Sequence, residues 1–315
     1  MEIKYPFLSS VHPLSKEIDG MVIDWAKEIG LLDSKEKVNN VLQMKINWFS
    51  SCLYPKADKT LLIPISKLFL ILFLLDDYID DLEKPVHYEL VFPLHKDFFD
   101  ILHGEKVKLD NPMSKAFLSF CTDWQAIVGK DGFKVFTNNF EEYINFQLWE
   151  IGLNTKMEIP EINEYCRNRL YASGAYLAVY FLREMNNLNT LDNIPFAIQL
   201  SYLETKATSL ICLANDLASF SKEFNEGSFN NIVIILIKKY GLSTKRATQL
   251  ANKKHDRILF QFNQLCALVE NSPDPRLVNY MESLRSMIVG SNHWSSMETN
   301  RYHNLVNGNI FWGRF

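Results

Sequence analysis

The chain is poor in the residues that break or cross-link a fold. Only 12 glycines and 11 prolines occur in 315 residues, which argues against a turn-dense β architecture and favours long helices. Five cysteines, Cys52, Cys121, Cys166, Cys212 and Cys266, are scattered, odd in number and without a CxxC pair. They read as reduced core thiols and not as a disulfide framework. Basic runs are missing and the net charge is −4, so the footprint of a nucleic-acid binder is lacking. The N-terminus, Met1-Glu-Ile-Lys-Tyr-Pro-Phe7, has no basic stretch followed by an apolar one, as a signal peptide would. Residues 68–75 are apolar but far too few to span a bilayer, and Pro64, Ser66 and Lys67 interrupt any upstream extension. A cytoplasmic protein without a membrane span is expected.

What remains is a chain 47% hydrophobic and 13% aromatic, a composition that implies an unusually aromatic interior. Ile18, Met21, Val22, Trp25 and Ile29 recur at helical spacing until Gly30, and Ser34 opens a second helix in which Val38, Val41, Leu42, Met44 and Ile46 are partly periodic. Trp48, Phe49 and a turn at Tyr54-Pro55 follow. A third helix runs from about Lys59 to Leu82 and is stopped by Pro85. Residues 90–109 are mixed. Asp110-Asn-Pro-Met113 leads into a helix that Gly129 ends, and Gly132 precedes another containing Phe136, Phe140, Tyr143, Phe146, Gln147 and Trp149. Pro160 begins a helix through Arg169 to Tyr180. Gly174 within it costs about 1 kcal/mol relative to alanine, so it marks a kink or a close backbone approach. Further helices cover 194–222, 232–240, 243–269 and 277 to about 297. With no βαβ alternation, period-two run, internal repeat or charged linker, residues 1–315 read as one all-α domain of about ten helices.

Two stretches carry chemistry. In the first, eight apolar residues, 68–75, run straight into Asp76, Asp77, Asp80 and Asp81. On a helix Asp76 and Asp80 project from one face, where like charges repel unless water or a divalent cation lies between them. Taken alone, a solvated helix end is the plainer reading. In the second, Asn215, Ser219 and Glu223 fall at i, i+4 and i+8, each step advancing about 40° past a full turn, so three oxygen-bearing side chains form one slanted row. An amide oxygen, a hydroxyl and a carboxylate are hard donors suited to Mg²⁺, which also takes phosphate oxygens. Two such rows at the polar ends of apolar helices can hold cations between them. Arg169, Lys222, Arg301 and Tyr302 are candidate phosphate partners, although any one basic residue is more often a solvated surface charge.

Asp76-Asp-Tyr-Ile-Asp80 resembles the aspartate-rich DDxxD motif of class I terpene synthases, and Asn215-Asp-x-x-Ser-x-x-Lys-Glu223 resembles their NDxxSxxxE motif. Arg301-Tyr302 is similar to the Arg-Tyr pair near the C-terminus of the microbial members. His12-Pro13 through Trp25 and Gly30-Leu-Leu32 are similar to the family's opening helix. The resemblance implies a single class I terpenoid synthase (isoprenoid synthase) α-helical bundle domain that binds three Mg²⁺ ions, with Mn²⁺ as a substitute, and a linear isoprenyl diphosphate. It gives Asp76, Asp80, Asn215, Ser219 and Glu223 to metal. It gives Lys222, Arg301 and Tyr302 to the diphosphate, and Arg169 to sensing that group ahead of a helix break at Ser173-Gly174. Asp77 could pair with a basic residue in place of metal, Asp81 could share the part of Asp80, and Arg167 lies close enough to Arg169 to compete for its role.

The implied chemistry is ionisation of the allylic diphosphate followed by cyclisation of the cation in a dry apolar cavity. Aromatic faces stabilise such a cation by about 0.5–2 kcal/mol. Phe73, Phe146, Trp149 and Trp294 are the aromatic candidates for that cavity, with Ser173 and Gly174. Farnesyl diphosphate is the expected substrate and geranylgeranyl diphosphate the next. The expected product is a terpene hydrocarbon or alcohol, and a homodimer is compatible with the reading. A chain-elongating isoprenyl diphosphate synthase would present a second aspartate-rich motif where Asn215 to Glu223 stands. A di-iron helical enzyme needs Glu-x-x-His pairs, and no histidine has glutamate three residues before it. A non-catalytic helical binding protein would make the order and spacing of both motifs accidental.

Overall fold

A computed structural model describes residues 3–80, 88–188 and 197–302. Among them the chain forms α-helices, one π-helical turn and no strand. Asp81 and Pro85 lie outside the described residues.

Local signals set most helix ends. α1 (Ser15–Ile29) closes on Gly30 at φ 82°, and α2 (Lys35–Met44) begins where the Ser34 side chain accepts from the Lys37 N–H. α2 does not continue to Ile46, because Lys45 turns left-handed at φ 49°. Residues Trp48–Leu53 form their own short helix, α3. α4 (Lys59–Asp80) carries the first acid motif at its end. The mixed stretch after Leu90 is largely a helix, α5 (Tyr88–Leu102), in spite of Pro93. Val91, Leu94, Phe98, Ile101 and Leu102 all bury, and that packing outweighs the local propensity.

Asn111 caps α6 (Pro112–Lys156) by accepting from the Met113 N–H, and the helix breaks once at Gly129, where φ is 72° and ψ −179°. The two helices expected on either side of Gly129 are thus present, as two arms that meet at a kink there. α7 (Ile162–Ala172) and α8 (Ala175–Met185) are separated by Ser173-Gly174. α9 (Ala197–Asn225), α10 (Ile232–Lys238), α11 (Thr244–Val269) and α12 (Pro275–His293) follow, and the chain then widens into the π-helical turn Trp294–Glu298.

The aromatic composition is spent mostly on the core. Phe98 of α5 packs on Phe117 of the first α6 arm with ring centroids 4.4 Å apart, and Phe117 meets Phe140 of the second arm at 4.6 Å. Trp124 packs edge-on against Phe181 of α8 at 5.1 Å. All five rings are fully buried, and each contributes on the order of 2–3 kcal/mol by leaving water. α12 meets α3 so closely that a Cβ on Gly290 would lie 1.9 Å from the Cys52 carbonyl oxygen, so only glycine fits there. That contact brings Phe49 and Trp294 together below α4. Among the described residues no helix is long and apolar enough to cross a membrane.

Candidate active site

The polar ends of α4 and α9 open onto one cavity of about 210 Å³, lined also by α3, α6, the α7–α8 break and the segment after α12. Asp76, Asp80, Asn215, Glu223, Arg169, Lys222, Arg301 and Tyr302 all line it. Residues from opposite ends of the sequence therefore surround a single space.

On the α4 wall, Asp77 is buried and points away from the cavity onto Arg301. Both guanidinium NH groups bond its carboxylate, one of them at 3.0 Å. The same guanidinium reaches Asp76 Oδ2 at 3.3 Å and lies 5.4 Å over the Phe73 ring. Asp77 is thus an ion-pair partner, the alternative the sequence left open. Asp76 and Asp80 keep 61% and 46% of their side chains open to solvent. Loss of hydration and then the Asp76 charge push the Asp80 carboxyl up, and Lys222 Nζ, 4.0 Å away, opposes this.

On the α9 wall Ser219 is buried, Asn215 and Glu223 are half-buried, and all three are hydrogen-bonded. Asn215 accepts from Arg169 NH2 and donates to the Tyr302 hydroxyl, each at 3.1 Å. Ser219 donates to the Asn215 carbonyl at 2.8 Å, is 1% exposed and, unlike Asn215 and Glu223, does not line the cavity. Glu223 Oε2 accepts from Asn231 Nδ2 at 2.9 Å, and burial pushes its carboxyl up to about 6 against the Arg169 charge. Asp216 faces away from the cavity. It is 1% exposed and accepts from the Tyr165 hydroxyl at 2.7 Å and the Ile232 N–H at 3.0 Å, tying α9 to α7 and α10.

Arg169 stands between the walls, 3.6 Å from Glu150 and 3.4 Å from Asp216. Arg167 is exposed and bonds Asn168, so of the two arginines only Arg169 reaches the cavity. Gly174 takes φ 72° at the α7–α8 break, a conformation other residues rarely adopt, and Ser173 and Gly174 both line the cavity. The Arg301 segment is anchored at the left-handed corner after α2. Trp294 Nε1 donates to Lys45 O at 2.7 Å and the Thr299 hydroxyl to Met44 O at 2.6 Å.

Phe73 and Trp294 line the cavity, in contact with each other at 5.3 Å. Phe146 and Trp149 do not, which corrects the expectation for both. Phe146 stacks on Tyr171 at 4.6 Å, and Trp149 donates to Glu164 and packs against the buried cluster that includes Tyr165, Leu213 and Ile232. The cavity face of α6 is Tyr143, Gln147, Glu150, Ile151 and Asn154, and each misplaced aromatic precedes one of these by one residue, about 100° around the helix. Phe49, Phe69, Tyr143, Gln147 and Glu150 were not foreseen as lining residues. Phe49 contacts Phe73 at 5.5 Å and Trp294 at 4.9 Å, completing an aromatic floor. Glu150 could have been found by stepping along α6 at i, i+4 and i+7 from Tyr143. Burial pushes its carboxyl up to about 7, and its Oε1 has no hydrogen-bond partner among the described residues.

The donor set fits a hard divalent ion in chemical type: carboxylates, an amide oxygen and a hydroxyl. No group of three or more His, Cys, Asp or Glu among the described residues converges as a closed metal site. The donors are divided between two walls and need further oxygens to complete coordination.

The family model described as terpene synthase family 2, C-terminal metal binding, matches residues 67–259. An (+)-eremophilene synthase from Sorangium cellulosum is 23% identical over 96% of this chain and 92% of its own length. A (2E,6E)-farnesyl diphosphate-cyclising (+)-T-muurolol synthase from Roseiflexus castenholzii is 26% identical over 94% of this chain and 91% of its own. Among solved structures, the SVS_A2 protein from ancestral sequence reconstruction superposes with a TM-score of 0.81 at 21% identity, covering 96% of this chain and 92% of that one.

Proposed function

The chain belongs to terpene synthase family 2, an enzyme family of terpene cyclases that use divalent metal, and from that premise we propose that it ionises farnesyl diphosphate with Mg²⁺ and cyclises the resulting cation. The carrying observation is that Asp76 and Asp80 of one row and Asn215 and Glu223 of the other line one cavity whose floor is aromatic and aliphatic. The (+)-T-muurolol synthase it resembles acts on the same diphosphate, which supports the fifteen-carbon substrate over geranylgeranyl diphosphate. One catalytic domain over 1–315 and three ions are part of this reading.

Asp76 and Asp80 would hold metal from one wall, and Asn215, Ser219 and Glu223 from the other. Bound there, the metal ions supply positive charge that stabilises the diphosphate as the allylic C–O bond breaks. The residues do the rest. Arg301, Lys222 and Tyr302 orient the diphosphate oxygens, with the planar guanidinium able to bind two of them at once. Arg169, already bonded to the Asn215 amide, senses the same anion and carries the signal into the α7–α8 break. Leu53, Phe69, Leu72, Ile151, Ala178 and Ile211 exclude water below, so the cation meets its own distant double bonds first. Phe49, Phe73 and Trp294 present ring faces and edges to it.

The test is incubation of the purified protein with Mg²⁺ and the ten-, fifteen- and twenty-carbon diphosphates, following inorganic diphosphate and analysing products by gas chromatography. The expected result is a cyclic terpene from the fifteen-carbon substrate, lowered at least about a hundredfold in Asn215→Ala. No turnover with any of the three sinks the reading. A longer diphosphate formed only when isopentenyl diphosphate is added would establish the elongating alternative.

A further inference from the structure

Within the cavity wall, α6 presents a chain of polar groups that neither the metal rows nor the diphosphate residues use. His95 of α5 lies 2.9 Å from Gln147 Oε1, and Gln147 Nε2 donates to the Tyr143 hydroxyl at 3.1 Å. All three side chains are buried, at 1%, 5% and 6% exposed. Polar groups are costly at the edge of an apolar cavity unless each is paired, so a connected set there is held in one arrangement.

The donors and acceptors define that arrangement. An amide oxygen only accepts, so His95 must donate through Nε2, and the amide nitrogen then gives its hydrogen to the phenol oxygen. Burial pulls the His95 imidazole down to about 4, in keeping with a neutral ring at ordinary pH. The phenol has one lone pair engaged by Gln147. Its own O–H and second lone pair have no partner among the described residues, and Tyr143 and Gln147 both line the cavity. The Tyr143 ring also lies beside the helix break, with two of its carbons 3.8 and 3.9 Å from where a Cβ on Gly174 would sit.

Tyr143 is seven residues before Glu150 on the same face of α6. At the rise of an α-helix this places the two residues about 10 Å apart along the helix axis. On the reading of the site as a cyclase, the diphosphate occupies the Arg169 end and the hydrocarbon the Tyr143 end. We propose that Tyr143 is a product-determining residue: its phenol oxygen touches the folded hydrocarbon, and its dipole, held by Gln147 and His95, favours one cationic intermediate over its competitors. Gln147 and His95 are positioning residues that act through the phenol. The wall is thus specific in polarity as well as in shape.

A double-substitution cycle read by gas chromatography tests this. Tyr143→Phe keeps the ring and removes the oxygen, and it should shift the ratio of terpene products about fivefold, while substrate is still consumed. His95→Leu should shift the ratio in the same direction by less, His95→Asn, which restores an N–H donor, should return it towards wild type, and His95→Leu should have no further effect in the Tyr143→Phe background. An effect of His95 that survives without the phenol oxygen overturns the inference, because it would mean His95 only supports packing. So does an unchanged product ratio in Tyr143→Phe. Either leaves the cyclase assignment standing, since wild-type turnover tests that separately. If His95→Leu does not fold, Gln147→Met in the same two backgrounds carries the identical comparison.

Discussion

The two oxygen-bearing walls of the cavity are built in opposite ways. On α4 Asp76 and Asp80 are half open to water while Asp77 is buried, and all three are restrained by ion pairs, Asp76 and Asp77 with Arg301 and Asp80 with Lys222. On α9 Asn215 and Glu223 are half-buried, and hydrogen bonds with Arg169, Tyr302 and Asn231 orient them. Those bonds pre-organise the α9 row, with Asn215 held by Arg169 and Tyr302 and Glu223 by Asn231. On the proposed reading, metal binding at the α4 row would displace Arg301 and Lys222, the residues also proposed for the diphosphate. On the same reading the α9 row would engage Arg169 and Tyr302, so both walls would couple metal to diphosphate, one through ion pairs and the other through hydrogen bonds.

The largest effect expected from disturbing this contrast comes from Asp77→Ala. The Arg301 side chain is 4% exposed, and without its two-pronged partner it becomes a poorly compensated buried charge, costing about 3–5 kcal/mol. Urea denaturation should register that loss, and a variant as stable as wild type would mean that the pair does not hold the α4 wall.

Asn231→Ala attacks the other wall. It removes donors to Glu223 and to the Asp216 carbonyl, and the acceptor of the Val233 N–H that caps α10. The expected cost is about 3 kcal/mol, since buried groups are left unpaired, together with a fall of about tenfold in divalent-ion affinity from a loosened Glu223. Unaltered metal affinity in calorimetric titration would contradict pre-organisation by Asn231.

The smallest expected effect concerns Glu150, between the walls. Its carboxyl titrates near 4.5 in an unfolded chain and near 7 in the fold. Across that window the native state binds more protons, so metal-free stability declines as pH rises from about 4.5 to about 7 and stays lower above. Glu150→Gln should remove this penalty, making the metal-free variant more stable than wild type by on the order of 2 kcal/mol at pH 8 and no different near pH 4. Denaturant melts at the two pH values compare them directly. A variant less stable at pH 8 would mean that the Arg169 pairing outweighs burial.

Much of the architecture was legible before folding because its signals are local. Ser34, Asn111 and Ser243 each accept from the first turn of the helix they open, and Gly30 and Gly174 stand where φ is positive. Asn215, Ser219 and Glu223 form a row by helical arithmetic alone. The aromatic lining was not legible. Phe146 and Trp149 differ from Gln147 and Glu150 by one step around α6, and a run apolar on several sides does not reveal which side meets the cavity. Phe49 sits on a six-residue helix too short to show a period. The α5 helix was obscured by Pro93, whose local cost is overridden by burial.

By itself the sequence determined that the chain is helical and which side chains on α4 and α9 share a face, because helix geometry relates residues three and four apart without reference to anything else. Only the tertiary structure decided that Asp77 belongs to Arg301, that Arg169 and not Arg167 faces the site, and that His95 reaches Gln147 and through it Tyr143. Each of those choices depends on how helices rotate against one another to bury their apolar faces, and that rotation is set by the whole core.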